Sequence, residues 1–208
     1  MHPEAIAVLN TLIPLGIAGV LDWMYREIDP EIWGPWLVLA PVVGLLYATS
    51  TGTPGLLFFY ALSLVFALLL AALYALGHLG GADMLAGALI ALSLPVPRSI
   101  GLPPVVTIIL YASILGFAYR VYSMARAGSP LSLKVRVRAE DLILNRRYKW
   151  WIPDGVNVEE DWTFTLASKA GEHVYASPGM PLVSFMLLGL ILYLVVGDPL
   201  TLLLRPPG

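Results

Sequence analysis

Residues 56–76 read LLFFYALSLVFALLLAALYAL and contain no charged side chain. A helix needs roughly 20 apolar residues to cross the hydrocarbon core of a bilayer, so the segment from Gly55 to Leu76 predicts a membrane-spanning helix. The whole chain has a similar character, because 58% of its 208 residues are hydrophobic and only 12% are charged. A soluble domain usually carries about 25% charged residues. The composition therefore excludes an ordinary cytosolic enzyme and a nucleic-acid binder with a broad basic face.

Five further apolar segments accompany this one. The first lacks a preceding basic region and a small-residue cleavage site, so it predicts a span and not a removable signal peptide. The second and fourth are short and contain or end in prolines, so whether they cross the bilayer fully stays open. The six predicted spans are Ala5 to Tyr25, Trp33 to Thr49, Gly55 to Leu76, Ala82 to Pro95, Pro104 to Tyr122 and Pro181 to Val196.

A segment of different composition, about residues 125–176, separates the fifth span from the sixth. It holds most of the charged side chains of the chain. Lys134 to Arg138 alternates charge and valine with the period of a half-buried strand, and Trp162 to Leu166 predicts another strand. We therefore expect a small β-rich domain at 125–176, after five helices at 1–124 and before the sixth helix and tail at 177–208.

The positions of the basic residues predict the orientation. With six crossings, Arg26 and the nine Lys and Arg residues from Arg120 to Lys169 lie on one side, and only Arg98 and Arg205 lie on the other. Lys and Arg are enriched in cytoplasmic loops. The predicted fold is therefore an all-α, multi-pass membrane protein with six transmembrane helices and a small cytoplasmic β-rich domain between helices five and six.

Two aspartates stand at the ends of the apolar spans. Six crossings place Asp22 at the cytoplasmic end of the first span and Asp83 at the cytoplasmic start of the fourth. An ionisable group at membrane depth costs a few kcal/mol on insertion scales and marks a candidate functional site. Each acid also has a purely structural explanation, since Asp22 can face water near a helix end and Asp83 can be an N-cap. Their matched type, depth and side favour a functional pair.

The chemistry available to such a pair is specific. Two carboxyl groups a few ångström apart cannot both ionise cheaply, so they share a proton and titrate together. The ionised member can deprotonate a water while the protonated one donates to a scissile carbonyl oxygen. Gly80 and Gly81 leave the approach to Asp83 free of side chains. We thus expect Asp22 and Asp83 to be catalytic, Gly80 and Gly81 to shape the site, and neither metal nor cofactor to be needed.

These residues carry a family resemblance. Asp22-Trp23-Met24-Tyr25-Arg26-Glu27-Ile28 resembles the first motif of archaeal preflagellin and type IV prepilin peptidases. Gly80-Gly81-Ala82-Asp83 is similar to the second, the Gly-x-Gly-Asp signature of these intramembrane-cleaving aspartyl proteases, with Ala82 in place of the second glycine. The stretch from Ser177 to Val183 also resembles the C-terminal region of the archaeal branch. The resemblance covers the whole chain in span order.

The resemblance implies an aspartic endopeptidase that removes the short basic leader from flagellin- and pilin-like precursors at the cytoplasmic membrane face. Its partners would be precursors with class III-type signal peptides and the lipid bilayer, not nucleic acid. Bacterial relatives that also N-methylate their product carry a large insertion after the first span, whereas here that stretch is only Trp23 to Pro35. Cleavage without methylation is therefore expected. Glu27, Asp29 and Glu31 on this loop would attract a basic leader.

A small ion or proton-coupled transporter with a paired-aspartate site is the alternative. A transport site should lie near the bilayer midplane, and inverted repeats would support it. Both acids are instead predicted at the cytoplasmic ends of their spans, and the sequence shows no internal repeat. A catalytically silent membrane assembly factor is a third possibility, for which no feature of the sequence argues positively.

Overall fold

The computed structural model describes residues 2–25, 28–52, 55–97, 101–127, 134–145, 151–154, 166–167 and 171–199. A short 3-10 helix, Pro30–Ile32, precedes the second helix. The helices are α1 (Pro3–Tyr25), α2 (Gly34–Ser50), α3 (Leu56–Ala75), α4 (Gly81–Ser93), α5 (Pro104–Arg126), α6 (Ala139–Leu144) and α7 (Leu182–Val196), and the strands are β1 (Val135–Arg138), β2 (Trp151–Pro153) and β3 (His173–Pro178).

All six predicted apolar spans form helices, but they differ in length. Four are long and apolar enough to cross a membrane, namely α1, α3, α5 and the continuous segment Pro30–Ser50 that includes α2. The helices α4 and α7 have only 13 and 15 residues, fewer than the roughly 17–25 that a helical crossing normally needs. Pro41 lies inside α2 without ending it. The helix lengths are thus those of a membrane protein with at least four candidate spans.

One compact unit consists of Met1–Ile114 together with Leu182–Gly208. In it, α1 packs against α2, α4 and α7, and α4 also packs against α2, α3 and α7. Glycines lie where helix backbones come close: a Cβ on Gly44 of α2 would be 1.9 Å from the Leu92 carbonyl oxygen of α4. Small residues allow such close approach between membrane helices. The helices that carry the two candidate acids, α1 and α4, are therefore the most central in this unit.

The chain that follows α4 is buried although it is not helical. Pro95 and Pro97 have no amide hydrogen and cannot continue the helical hydrogen bonding. The carbonyl of Pro95 accepts a hydrogen bond from Ser63 Oγ at 3.0 Å, and that of Val96 accepts one from Tyr47 Oη at 3.4 Å. Backbone oxygens freed inside an apolar bundle need donors. These two hydroxyl groups allow the fourth apolar segment to continue beyond the end of α4.

The second compact unit, Leu115–Pro181, contains a three-stranded antiparallel sheet in the order β1-β3-β2. Val135 pairs with Ala176 and Trp151 pairs with Pro178, so β3 is the central strand. Seven buried side chains form the core of this unit: Met124, Val137, Ala139, Leu142, Trp151, Leu166 and Ala176. A small sheet between the fifth and last apolar helices is thus confirmed.

The two predicted strands of this unit have different outcomes. The strand predicted at Lys134 to Arg138 is confirmed as β1, in which Val137 is buried while Arg136 and Arg138 are exposed. Of the strand predicted at Trp162 to Leu166, only Leu166 is described, and it is helical and buried. The other residues of that prediction lie outside the described part of the chain.

Candidate active site

Asp22 lies in the last turn of α1, where it is half-buried. Its Oδ2 accepts a hydrogen bond from the backbone N–H of Ser184 at 3.1 Å, and Ser184 Oγ lies 3.2 Å from the same oxygen. Ser184 is the third residue of α7, so its N–H is one of the amides that a helix N-terminus leaves without an intrahelical partner. Such an amide and the helix dipole both stabilise a carboxylate. The Asp22 carboxylate of α1 therefore contacts the first turn of α7.

Gly19, one helical turn before Asp22, allows α7 to approach. A Cβ at this position would lie 3.1 Å from Leu187 Cδ2 and 3.4 Å from Ser184 Cα. The carbonyl oxygen of Gly19 accepts a hydrogen bond from Ser184 Oγ at 2.7 Å. Residues three apart lie on the same face of a helix. The face of α1 that contacts α7 through Gly19 therefore also presents Asp22 to Ser184.

Asp83 is the third residue of α4 and is also half-buried. The N-cap residue of α4 is Gly80, and its backbone N–H donates a hydrogen bond to the Asp83 carboxylate. An acidic third residue that reaches back to the N-cap amide is one half of a capping box. Asp83 is thus not the N-cap itself, and its carboxylate is held beside the start of α4.

The structure brings Asp22 and Asp83 to one end of the helical unit. Their helices pack against each other, and the charges of the two carboxylates interact electrostatically. The C-terminal end of α1 and the N-terminal ends of α4 and α7 meet there. Two acids from packed helices therefore lie at one end of the unit.

The two glycines before Asp83 have different surroundings. A Cβ on Gly80 would lie 3.1 Å from Asp83 Oδ2, so the absence of a side chain there leaves room for the carboxylate. A Cβ on Gly81 would meet the ring of Tyr74 at 3.4 Å, which is an ordinary contact. Gly80 therefore shapes the surroundings of the acid directly, whereas Gly81 faces α3.

The acidic residues of the connection between α1 and α2 are the remaining candidates. Asp29 and Glu31 are exposed, and the Asp29 side chain accepts a hydrogen bond from the Glu31 N–H at 2.9 Å, which caps the short 3-10 helix. Glu27 lies outside the described residues. Because the connection starts at the end of α1 that carries Asp22, Asp29 and Glu31 add negative charge at that end of the unit.

Ser184 is a site residue that no sequence motif marks. The stretch that resembles the C-terminal region of the archaeal peptidases ends at Val183, one residue earlier. The sequence signal that could identify Ser184 is its hydroxyl group near the start of an otherwise apolar segment, because polar groups in membrane helices usually have a partner. Asp198 is another acid that no motif marks; it is buried beyond the other end of α7 and accepts a hydrogen bond from the Leu102 N–H.

Comparisons of this chain with protein-family models, with curated proteins and with solved structures find no match. Within the described ranges, no group of three His, Asp or Glu side chains is placed to hold a metal ion. Asp22, Asp83 and their hydrogen-bond partners are therefore the features of the described residues that bear on function.

The close contact of α1 with α7 predicts a specific cross-link in this cysteine-free chain. The Cβ of a Gly19→Cys variant would lie 3.4 Å from Leu187 Cβ, near the separation of about 3.5–4.5 Å that a disulfide requires. We expect the Gly19→Cys/Leu187→Cys double variant to form an intramolecular disulfide on mild oxidation and to lose both maleimide tags in a gel-shift assay.

The matched control for this cross-link pairs Leu187→Cys with Gly16→Cys. A Cβ at Gly16 has no heavy atom within 4 Å, so this double variant should keep two reactive thiols after oxidation. Equal tagging of the two double variants would contradict the helix contact that positions Asp22.

Proposed function

We propose that this chain is a membrane aspartyl endopeptidase that removes the short basic leader from preflagellin- and prepilin-like precursors, without N-methylation. The observation that carries the proposal is the placement of two acids, Asp22 of α1 and Asp83 of α4, on packed helices at one end of an apolar helical unit. The resemblance of the segments around both acids to the two motifs of these peptidases names the substrate class.

The proposed reaction is a general acid–base hydrolysis. One carboxylate takes a proton from a water, which attacks the scissile carbonyl carbon, while the other carboxyl group donates its proton to the carbonyl oxygen. The proton then passes to the leaving amine as the peptide bond breaks, and the two acids exchange roles. Hydrogen bonds from Ser184 to Asp22 and from Gly80 to Asp83 keep both groups in place during these transfers.

Six membrane crossings are part of the proposal, and two observations support them. An alternating six-span topology puts the C-terminal end of α1 and the N-terminal ends of α4 and α7 on one side, as the contacts of Asp22 require. The helix α4 alone rises about 20 Å. The four buried residues from Leu94 to Pro97 can add up to about 13 Å. The whole segment can therefore reach the bilayer core thickness of about 30 Å.

The side of the membrane follows from the basic residues. The positive-inside rule assigns the end of the unit with Asp22 and Asp83 to the cytoplasm. A precursor whose basic leader precedes an apolar helix would present its cleavage site at that level. The exposed acids Asp29 and Glu31 would then lie where they attract the leader.

The paired-aspartate transporter is less well supported. Transport sites in such proteins typically lie near the bilayer midplane, where helices are interrupted. Asp22 lies in the last turn of a 23-residue helix, and Asp83 lies in the first turn of α4. A water-accessible site at a membrane face suits the cutting of a peptide better than the occlusion of an ion.

The catalytic assignment predicts that Asp22→Asn and Asp83→Asn each abolish leader removal. Loss of a general acid or base lowers rates by about 100-fold to 10,000-fold, so co-expressed precursor should keep its leader, as read by its mass. Asp198→Asn is the matched control, because it neutralises a buried aspartate elsewhere while its amide oxygen can still accept from Leu102. Full cleavage by the membrane-inserted Asp83→Asn variant would refute the assignment.

The leader-binding role of the exposed acids predicts a change in KM alone. The Asp29→Asn/Glu31→Gln double variant removes two negative charges but keeps an oxygen that can cap the short helix. We expect its KM for a basic leader to rise by about three- to ten-fold at low salt, with kcat unchanged, since exposed charges act on association. A precursor with an uncharged leader is the control, and a KM rise of the same size for it would contradict the role.

A further inference from the structure

The hydroxyl group of Ser184 joins α1 to α7 directly beside one of the proposed catalytic acids. We propose that Ser184 is a positioning residue for Asp22. The Ser184 amide fixes Asp22 Oδ2, and the Ser184 hydroxyl can hydrogen-bond to that oxygen whether the Asp22 carboxyl group is protonated or ionised. This inference rests on the proposed peptidase function, because it concerns the proton transfers of that reaction.

The distances assign a direction to the hydroxyl hydrogen bond. Ser184 Oγ lies 2.7 Å from the Gly19 carbonyl oxygen and 3.2 Å from Asp22 Oδ2. A serine hydroxyl has one proton to donate and two lone pairs to accept with. Since a carbonyl oxygen can only accept, the shorter contact places the proton between Ser184 and Gly19. A lone pair of Ser184 Oγ is then available to Asp22 Oδ2.

This arrangement suits an acid that must gain and lose a proton. When Asp22 is protonated on Oδ2, it can donate to Ser184 Oγ, which in turn donates to Gly19. When Asp22 is ionised, Oδ2 accepts from the Ser184 N–H, and the hydroxyl can rotate to donate to it as well. A single residue thus holds the carboxyl oxygen through both halves of the reaction, without a rearrangement of α1 or α7.

Two other buried hydroxyl groups of the same unit donate to backbone carbonyls without contacting a candidate acid. Ser63 Oγ donates to the Pro95 carbonyl at 3.0 Å, and Thr11 Oγ1 donates to the Ala7 carbonyl at 3.0 Å, so both satisfy backbone oxygens. Ser63 lies on α3 and its partner follows the end of α4 that is remote from Asp83. It is therefore a matched reference for the loss of a buried serine hydroxyl that does not contact a candidate acid.

The test uses the full-length protein in lipid vesicles with a precursor that has a short basic leader before an apolar helix. Ser184→Ala keeps the backbone amide and loses the hydroxyl. Because a hydrogen bond to a charged group contributes more than a neutral one, we expect kcat to fall by about 10-fold to 100-fold. KM should stay within about two-fold, because Ser184 is buried and positions the acid instead of binding the leader.

Two further substitutions separate the hydroxyl from side-chain shape. Thr and Val have nearly the same volume, but only Thr has a hydroxyl group. Ser184→Thr should keep kcat within about three-fold of the unsubstituted protein, and Ser184→Val should lose as much as Ser184→Ala. This pair keeps the proposal testable even if the alanine variant does not fold. Ser63→Ala should leave kcat unchanged.

The outcomes distinguish this inference from the proposed function. Cleavage that survives in Asp22→Asn and Asp83→Asn refutes the peptidase itself, and the positioning role with it. If both aspartate variants lose cleavage but Ser184→Val and Ser184→Thr have the same kcat, the peptidase function is supported and the role of Ser184 is refuted. A change in KM alone at position 184 overturns it too, as does a kcat loss of equal size in Ser63→Ala.

Discussion

A carboxylate at the edge of an apolar helical bundle needs hydrogen-bond donors, and the amides at helix N-termini are the donors that such a bundle has available. Asp22 uses the Ser184 amide of α7, and Asp83 uses the Gly80 amide of its own helix. Both acids are therefore tied to the starts of helices. The hydrogen bond of Asp22 joins the end of α1 to the start of α7, and the packing of α1 on α4 brings Asp83 near enough for the two charges to interact.

Two glycines, Gly19 and Gly80, leave space that the two acids of this site need. Gly19 leaves the space in which α7 approaches α1, and Gly80 leaves the space beside Asp83 Oδ2. Packed helices transmit small displacements, because protein interiors have few voids to absorb them. The geometry of Asp22 thus depends on helix packing one turn away, at Gly19.

The sequence could predict the features that depend on local composition. Apolar runs predicted all six helices, and the alternation of charged residues with valine predicted β1. Because charged residues are scarce in the apolar segments, Asp22 and Asp83 were identifiable as candidate site residues. It could not predict the partner of Asp22, because Ser184 is 162 positions away and meets it only through the packing of α1 on α7. It also could not show that the fourth segment stops being helical at Leu94 yet stays buried, which depends on hydroxyl donors from α2 and α3.

The proposed reaction requires Asp22 and Asp83 to share one water-accessible site at the cytoplasmic face. Since the chain has no cysteine, single Asp22→Cys and Asp83→Cys variants can be labelled with a membrane-impermeant maleimide in vesicles of either orientation. We expect both thiols to react in inside-out vesicles and neither to react in right-side-out vesicles. Labelling of the two positions from opposite faces of the membrane would contradict it.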